Sequence, residues 1–214
     1  MRGFPIAREG LIFIGPSLFL SLFLGLYHLW ILFCISLFFL LFFLYFFRNP
    51  ERSTSAGAEY FISPADGKVV EISTVTEDEF IKGEAQKIGI FMSPLDVHVN
   101  RAPFAGIVRT IRHRAGEFAL AFKKDIDKEN ERNYILLDCS GDSVLVVQIA
   151  GFLARRIICK VRESERVERG QRIGMIAFGS RVDLYVPLSY ECVVQLHQKV
   201  EAGITALARK QRGS

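Results

Sequence analysis

Two short stretches of this 214-residue chain hold reactive side chains at meaningful intervals. The first is "MSPLDVHVNRAP", with Asp96, His98 and Asn100 at alternate positions. In an extended strand alternate residues share a face, which puts Val97 and Val99 on the other. An Asp two residues from a His can orient the imidazole or hold its charge, as acid–base chemistry requires. A plain polar strand face has the same pattern. The second stretch is "AFGSRVDLYVP", with Gly179-Ser180 between two apolar runs. That dipeptide is either a turn or the chemical centre of the protein. It is not a nucleophile elbow, because GxSxG is absent, and there is no P-loop or GxGxxG fingerprint.

The other histidines read as a surface residue (His113), part of the last strand or helix (His197) and the turn of an apolar block (His28). His113 lies between arginines in "IRHRAGEF", His197 in "VVQLHQKV", and His28 in an apolar block. Cys34, Cys139, Cys159 and Cys192 form no CxxC pair. They read as reduced thiols of a cytoplasmic protein, too widely spaced for a zinc cluster.

The elements that must position these residues are short β-branched runs with turn signals, from Ser55 onward. "GKVVEISTV" follows the turn Pro64-Ala65-Asp66-Gly67, "KIGIFMS" follows Gly83, and "GIVRTIRH" follows Pro103 to Gly106. "NYILLDCSGDSVLVVQIAG" reads as a hairpin across Ser140-Gly141-Asp142. "RIICKV", "RIGMIAF", "RVDLYVP" and "YECVVQLHQKVEAG" continue the series. The expectation is an all-β barrel or sandwich. "VERGQRIGMIAF", with its turn at Arg169-Gly170, also has the pattern of small lipoyl-type β-domains. Ala119 to Asn130 alone reads as helix or loop, with "KKDIDKENER" as a solvated face.

Leu11 to Phe47 contains no Asp, Glu, Lys or Arg. As one helix it would run roughly 55 Å, against a hydrocarbon core of about 30 Å. Two short spans turning near Gly25 to His28 fit better than one tilted span or a re-entrant hairpin. Arg2 and Arg8 then share a side with Arg48 and Arg52, which the positive-inside rule makes cytoplasmic. In "FFRNPERS", Asn49-Pro50 ends the helix, and Arg48 and Arg52 suit the headgroups. The organisation expected is an N-terminal helical membrane hairpin over 1–52 and a β-domain over 53–214. Of the net charge of +4, +2 flanks the apolar block in 1–52, so the β-domain is nearly balanced and lacks the dense basic face of a nucleic-acid binder.

Taken in order after a hydrophobic N-terminus, "FFRNPER", "SPADGKV", "FMSPLDVHVNRAP" and "GQRIGMIAFGSRVDLYVP" resemble the phosphatidylserine decarboxylases, in their short bacterial form. The resemblance spans about Phe46 to Pro187. It implies a proenzyme that cleaves itself between Gly179 and Ser180, giving a β chain 1–179 and an α chain 180–214. Ser180 becomes a pyruvoyl group, the covalent cofactor. The substrate implied is phosphatidylserine in the membrane, decarboxylated through a Schiff base to phosphatidylethanolamine and CO2. The location implied is the inner cell membrane, with the catalytic domain on the cytoplasmic side. No metal or nucleic acid is involved, and a homodimer is compatible with the pattern.

The residue types suit that chemistry. The Ser180 hydroxyl can attack the preceding carbonyl, and Gly179 has no Cβ to hinder it. The amide becomes an ester, and loss of the Ser180 α-proton then expels Gly179. Threonine would leave a different ketoacyl group, and alanine could not begin. Asp96 and His98 match the family's Asp-x-His positions, as base and acid for processing and for protonation. Longer family members carry a further His after a "PGxF"-like stretch. Here "RAGEFALAFKKD" has none beyond His113. The processing base is therefore open between His98, Asp96 and His113. Arg101, Arg109, Arg112, Arg114, Arg155 and Arg156 are the candidate phosphate ligands. Two alternatives are weaker. A zinc peptidase would need an HxH pair and more histidines. A membrane-tethered, non-enzymatic lipoyl-like adaptor would leave Gly179-Ser180 unexplained and lacks a hairpin lysine.

Overall fold

A computed structural model describes residues 5–116, 130–151, 156–177 and 180–211. Gly179, Arg155 and nearly all of the Ala119 to Asn130 stretch lie outside them. By internal contacts the chain divides into Met1–Glu51 and Arg52–Ser214.

The first unit is a helical hairpin. Helix α1 spans Leu11–Leu26 and α2 spans Trp30–Phe46. The chain reverses between them with His28 at φ 55, the left-handed value a tight reversal needs. The two ends are pinned together where the Ala7 N–H donates to the Phe47 carbonyl at 2.8 Å. Side chains here are apolar almost throughout, so Ser21 and Ser36 satisfy each other, Oγ to Oγ at 2.6 Å. The helix Arg8–Leu26, which includes an initial tight turn, is long and apolar enough to cross a membrane; α2 is shorter.

The second unit is all β. Its strands are β1 Tyr60–Ile62, β2 Gly67–Glu77, β3 Gly83–Met92, β4 Val99–Arg101, β5 Gly106–Arg114, β6 Arg132–Cys139 and β7 Asp142–Ala150. They continue as β8 Ile157–Cys159, β9 Arg166–Val167, β10 Arg172–Ile176, β11 Ser180–Pro187, β12 Tyr190–Cys192, β13 Lys199–Val200 and β14 Ala206–Lys210. An eight-stranded antiparallel sheet runs β13-β2-β3-β11-β7-β6-β5-β9. Two three-stranded sheets accompany it, β4-β10-β8 and β1-β14-β12.

Period-two alternation explains the core. On β11, Val182, Leu184 and Val186 point inward, beside Ile88 and Ile90 of β3 and Val144 and Val146 of β7. Ile173 and Ile176 of β10 and Phe61 of β1 join the same cluster, so the sheets share one core. Each such side chain contributes about 1.5–3 kcal/mol by leaving water. The β6–β7 hairpin closes as expected on the Cys139–Asp142 pair, with Ser140 at φ 60 and Gly141 at φ 95. Two consecutive positive φ values make the turn that matches strand twist.

Two local readings change. "YECVVQLHQKVEAG" holds only short strands, with His197 in a turn at φ 70. "MSPLDVHVN" is not one strand. Pro94 favours a turn, the Asp96 N–H closes it on the Ser93 carbonyl at 3.0 Å, and β4 starts only at Val99.

Candidate active site

Ser180 is a strand residue. It opens β11 at the centre of the large sheet, with Met92 as its register partner on one side and Ala150 on the other. Its side chain is fully buried, with Oγ 3.3 Å from the Met92 sulfur. β10 ends at Ile176, in a different sheet. Only Ala177 to Gly179 connect the two, so this junction is where the chain crosses between sheets. The crossing is held on the β10 side. The Ile176 N–H donates to the His98 carbonyl at 3.3 Å, and the Ala177 N–H to the Arg156 carbonyl at 3.4 Å.

His98 is fully buried, and its Nδ1 lies 2.9 Å from the Asp96 carbonyl oxygen. A carbonyl can only accept, so Nδ1 carries the proton and Nε2 is the basic nitrogen. The Asp96 carboxylate faces elsewhere. It accepts from the Ser93 N–H at 2.8 Å and the Ser93 hydroxyl at 2.7 Å. Asp96 and His98 are thus adjacent, but the link runs through backbone, because the turn has replaced the expected strand. His113 lies on β5, three strands from β11. It is exposed, with Nε2 3.5 Å from Glu131.

A chain of buried amides reaches this region from β6 and β7, on one side of β11 in the large sheet. Asn133 Nδ2 donates to Gln148 Oε1 at 2.9 Å, and Gln148 Nε2 donates to Asn100 Oδ1 at 2.8 Å. Asn100 Nδ2 then lies 3.7 Å from the Met92 sulfur that also contacts Ser180.

Asp66 anchors the neighbouring backbone. Its carboxylate accepts from the Ala202 N–H at 2.8 Å and the Val97 N–H at 3.4 Å, beside His98. Its counter-charge is Arg52, paired through both guanidinium nitrogens. Arg52 therefore does not sit at headgroups as expected; a buried carboxylate draws it into the β unit. The preceding turn needs Gly67, whose φ is +147 and whose added Cβ would fall 2.0 Å from the Phe91 carbonyl oxygen.

On the opposite face of β11, Arg181 and Asp183 form a buried ionic cluster with Lys87 and Glu71. Arg181 Nε is 2.5 Å from Asp183, and Lys87 Nζ is 3.3 Å from both Asp183 and Glu71. Arg181 also pairs with Glu71. Burial alone would raise the Glu71 pKa. The Arg181 hydrogen bond and the Lys87 charge outweigh it and hold the carboxyl below its ordinary value.

Most of the candidate phosphate ligands are committed. Arg101 is buried on the Gly170 carbonyl at 2.9 Å, Arg109 pairs with Asp138, and Arg112 and Arg114 pair with Glu79. Arg156 is exposed, and its backbone is tied to Ala177 just before the crossing. Among the described residues no His, Cys, Asp or Glu cluster could hold a metal ion, so the zinc alternative has no ligand set there.

Sequence reasoning missed the amide chain and Asp66. Gln148 had a readable signal: it is a lone amide inside the apolar run "SVLVVQIA". Asp66 had none, because an Asp before Gly reads as an ordinary turn.

The chain has recognisable relatives among known proteins. The phosphatidylserine decarboxylase family model matches residues 39–208. A curated phosphatidylserine decarboxylase proenzyme of Desulfotalea psychrophila is 44% identical over 206 residues, covering 96% of each chain. One of Carboxydothermus hydrogenoformans is 43% identical, covering 94% of this chain and 95% of its own. One of Trichlorobacter lovleyi is 47% identical over 165 residues, covering 77% of this chain and 74% of its own. On the extent of that match and the residues that carry it, the chain belongs to the phosphatidylserine decarboxylase family.

Proposed function

We propose that this chain is a self-processing decarboxylase of phosphatidylserine that works at a membrane surface. The activity follows from family membership: the serine headgroup loses CO2 and phosphatidylethanolamine remains. The observation that carries the rest is Ser180, buried at the head of a central strand directly after Gly179.

In processing, Ser180 Oγ attacks the Gly179 carbonyl carbon and the hydroxyl proton passes to a base. We assign that base to His98: with Nδ1–H donated to the Asp96 carbonyl, the neutral ring carries its lone pair on Nε2. The C–N bond breaks, the nitrogen takes a proton, and an ester joins the two segments. Elimination across Cα–Cβ of residue 180 expels Gly179 as a carboxylate. Hydration with loss of ammonia leaves pyruvoyl at that position. The group fits there. It exchanges an amine and a hydroxyl for a keto oxygen, so it needs no more room than buried Ser180 has.

A pyruvoyl ketone supplies the electrophile that takes the substrate amine and accepts the electron pair freed with CO2. The chain's own residues do the rest. His98 is the proton source for the carbon that lost CO2, and Arg156 meets the lipid phosphate. Cleavage would leave the α chain in place. β11 sits between β3 and β7, β13 pairs with β2, and β14 pairs with β1. The apolar hairpin would anchor the β chain in the inner membrane. Its flanking arginines favour the cytoplasmic side.

The test is release of labelled CO2 from phosphatidylserine in mixed micelles, with denaturing mass analysis of the same sample. Two chains that divide before Ser180 are expected. A Ser180→Ala protein with normal activity would overturn the proposal.

A further inference from the structure

The Asn100 amide has one filled side and one underused side. Its oxygen takes the Gln148 N–H at 2.8 Å. Its NH2 has two protons, and its hydrogen-bond contact is the Met92 sulfur at 3.7 Å. Thioether sulfur is a weak acceptor. The residue is fully buried, where an unfilled donor is costly. The same sulfur touches the Ser180 hydroxyl at 3.3 Å. An under-used donor and the serine oxygen therefore face one atom between them.

The orientation of this amide is fixed from behind. Gln148 is fully buried and receives the Asn133 N–H on its own oxygen at 2.9 Å. Gly174, the register partner of Asn100, leaves the gap that Gln148 uses. A Cβ at Gly174 would fall 2.8 Å from Gln148 Nε2 and 2.4 Å from the Ile158 carbonyl oxygen. With its oxygen taken by Asn133, Gln148 presents N–H to Asn100, and Asn100 is left to present its own NH2 toward the Met92 sulfur that Ser180 also touches. The relay joins β6 and β7 of the large sheet to β4 of the small one, at the level where the chain crosses. Three buried amides set in series are costly unless every member is satisfied. A reacting oxygen at the open end would complete the series.

We propose that Asn100 Nδ2 is the hydrogen-bond donor that stabilises the oxyanion formed during chain cleavage, with Gln148 and Asn133 as positioning residues. This deepens the self-processing reading and rests on it. As the Ser180 Oγ–C bond forms, the carbonyl π pair of Gly179 moves onto its oxygen. That oxygen becomes negative beside Ser180, and the donor strengthens as the charge grows. The pair returns when the C–N bond breaks, and the ester is left. Such a donor acts on the acyl shift and not on the later elimination.

The test uses the full chain made in a cell-free system and chased after a short labelling pulse, with and without hydroxylamine. Hydroxylamine cuts the ester, so it reports the acyl shift independently of elimination. Asn100→Leu keeps the side-chain size and removes the donor. It should slow cleavage on the order of 10²–10³-fold, as loss of one such donor does elsewhere. Hydroxylamine should not restore the rate. Gln148→Glu leaves Asn100 intact but offers it an acceptor, which turns the amide oxygen toward Ser180. It should slow cleavage in the same way. Thermal midpoints of both variants in a Ser180→Ala background report folding separately. If both variants fold and cut at the wild-type rate, or if hydroxylamine cuts them at the wild-type rate, the donor role fails. If wild type itself is not cut before Ser180, the self-processing reading fails instead.

Discussion

Ser180 and Met92 are register partners on neighbouring strands, and the serine hydroxyl lies 3.3 Å from the methionine sulfur. The contact seats the hydroxyl without a strong acceptor to compete for its proton. Met92→Leu keeps the apolar volume and loses only the sulfur. It should cleave within about tenfold of wild type, since near-isosteric core swaps cost under about 1.5 kcal/mol. Ser180→Ala should give one uncut chain by denaturing mass analysis. Ser180→Thr should cut slowly, because the added methyl must enter a filled site at about 1–3 kcal/mol.

Asp96 and His98 separate by the same logic. The Asp96 carboxylate serves the Ser93 turn, and only its backbone carbonyl serves His98. An Asn at 96 can still accept both Ser93 bonds. Asp96→Asn should therefore lose less than about tenfold in cleavage, far from the 10²–10⁴ of a lost acid–base group. His98→Ala should lose that full range, with the thermal midpoint of the uncut chain followed alongside. A loss from Asp96→Asn as large as that from His98→Ala would return the carboxylate to the chemistry.

These two residues also show what the sequence made legible. The strand on either side of the turn, the β6–β7 hairpin and the buried alternation of β11 were readable, because local twist and period-two burial write them into adjacent residues. The face shared by Asp96 and His98 was not. Pro94 and the Asp96 carboxylate break the strand within a stretch whose apolar alternation looks unbroken. The amide relay was hidden for another reason. Asn100, Asn133 and Gln148 lie far apart in sequence and meet only through sheet register and the gap at Gly174. Arg52 was misplaced because its partner, Asp66, is distant from the apolar block that seemed to explain it.

Arg156 is set to separate binding from processing. Its backbone carbonyl holds Ala177, while its side chain is exposed and forms no ion pair among the described residues. Arg156→Gln keeps the backbone bond and removes the charge. A charged hydrogen bond contributes about 1.5–3 kcal/mol, so KM for phosphatidylserine should rise about tenfold or more. Self-cleavage, which involves no phosphate, should keep its rate. Slower cleavage with an unchanged KM would assign Arg156 to the crossing instead of the lipid.

The ionic cluster behind β11 predicts an acid limit. Glu71 has its pKa held below the ordinary value, with the Arg181 bond and the Lys87 charge overcoming the effect of burial. A depressed carboxylate contributes stability that is present above its unfolded pKa of about 4.3 and lost as pH falls through the folded value. The thermal midpoint should therefore drop as the pH goes below about 4. Glu71→Gln should lower the midpoint at neutral pH and flatten that acid drop. Arg181→Ala removes one of the two cations that serve buried Asp183. Breaking such a pair costs about 3–5 kcal/mol. Arg181 is also the second residue after the bond that breaks, so in the mature protein it would fasten the cut end of β11 between β3 and β7. Decarboxylation by the Arg181→Ala protein should thus fall further than its cleavage does. Equal losses in the two would reduce the cluster to a source of stability alone.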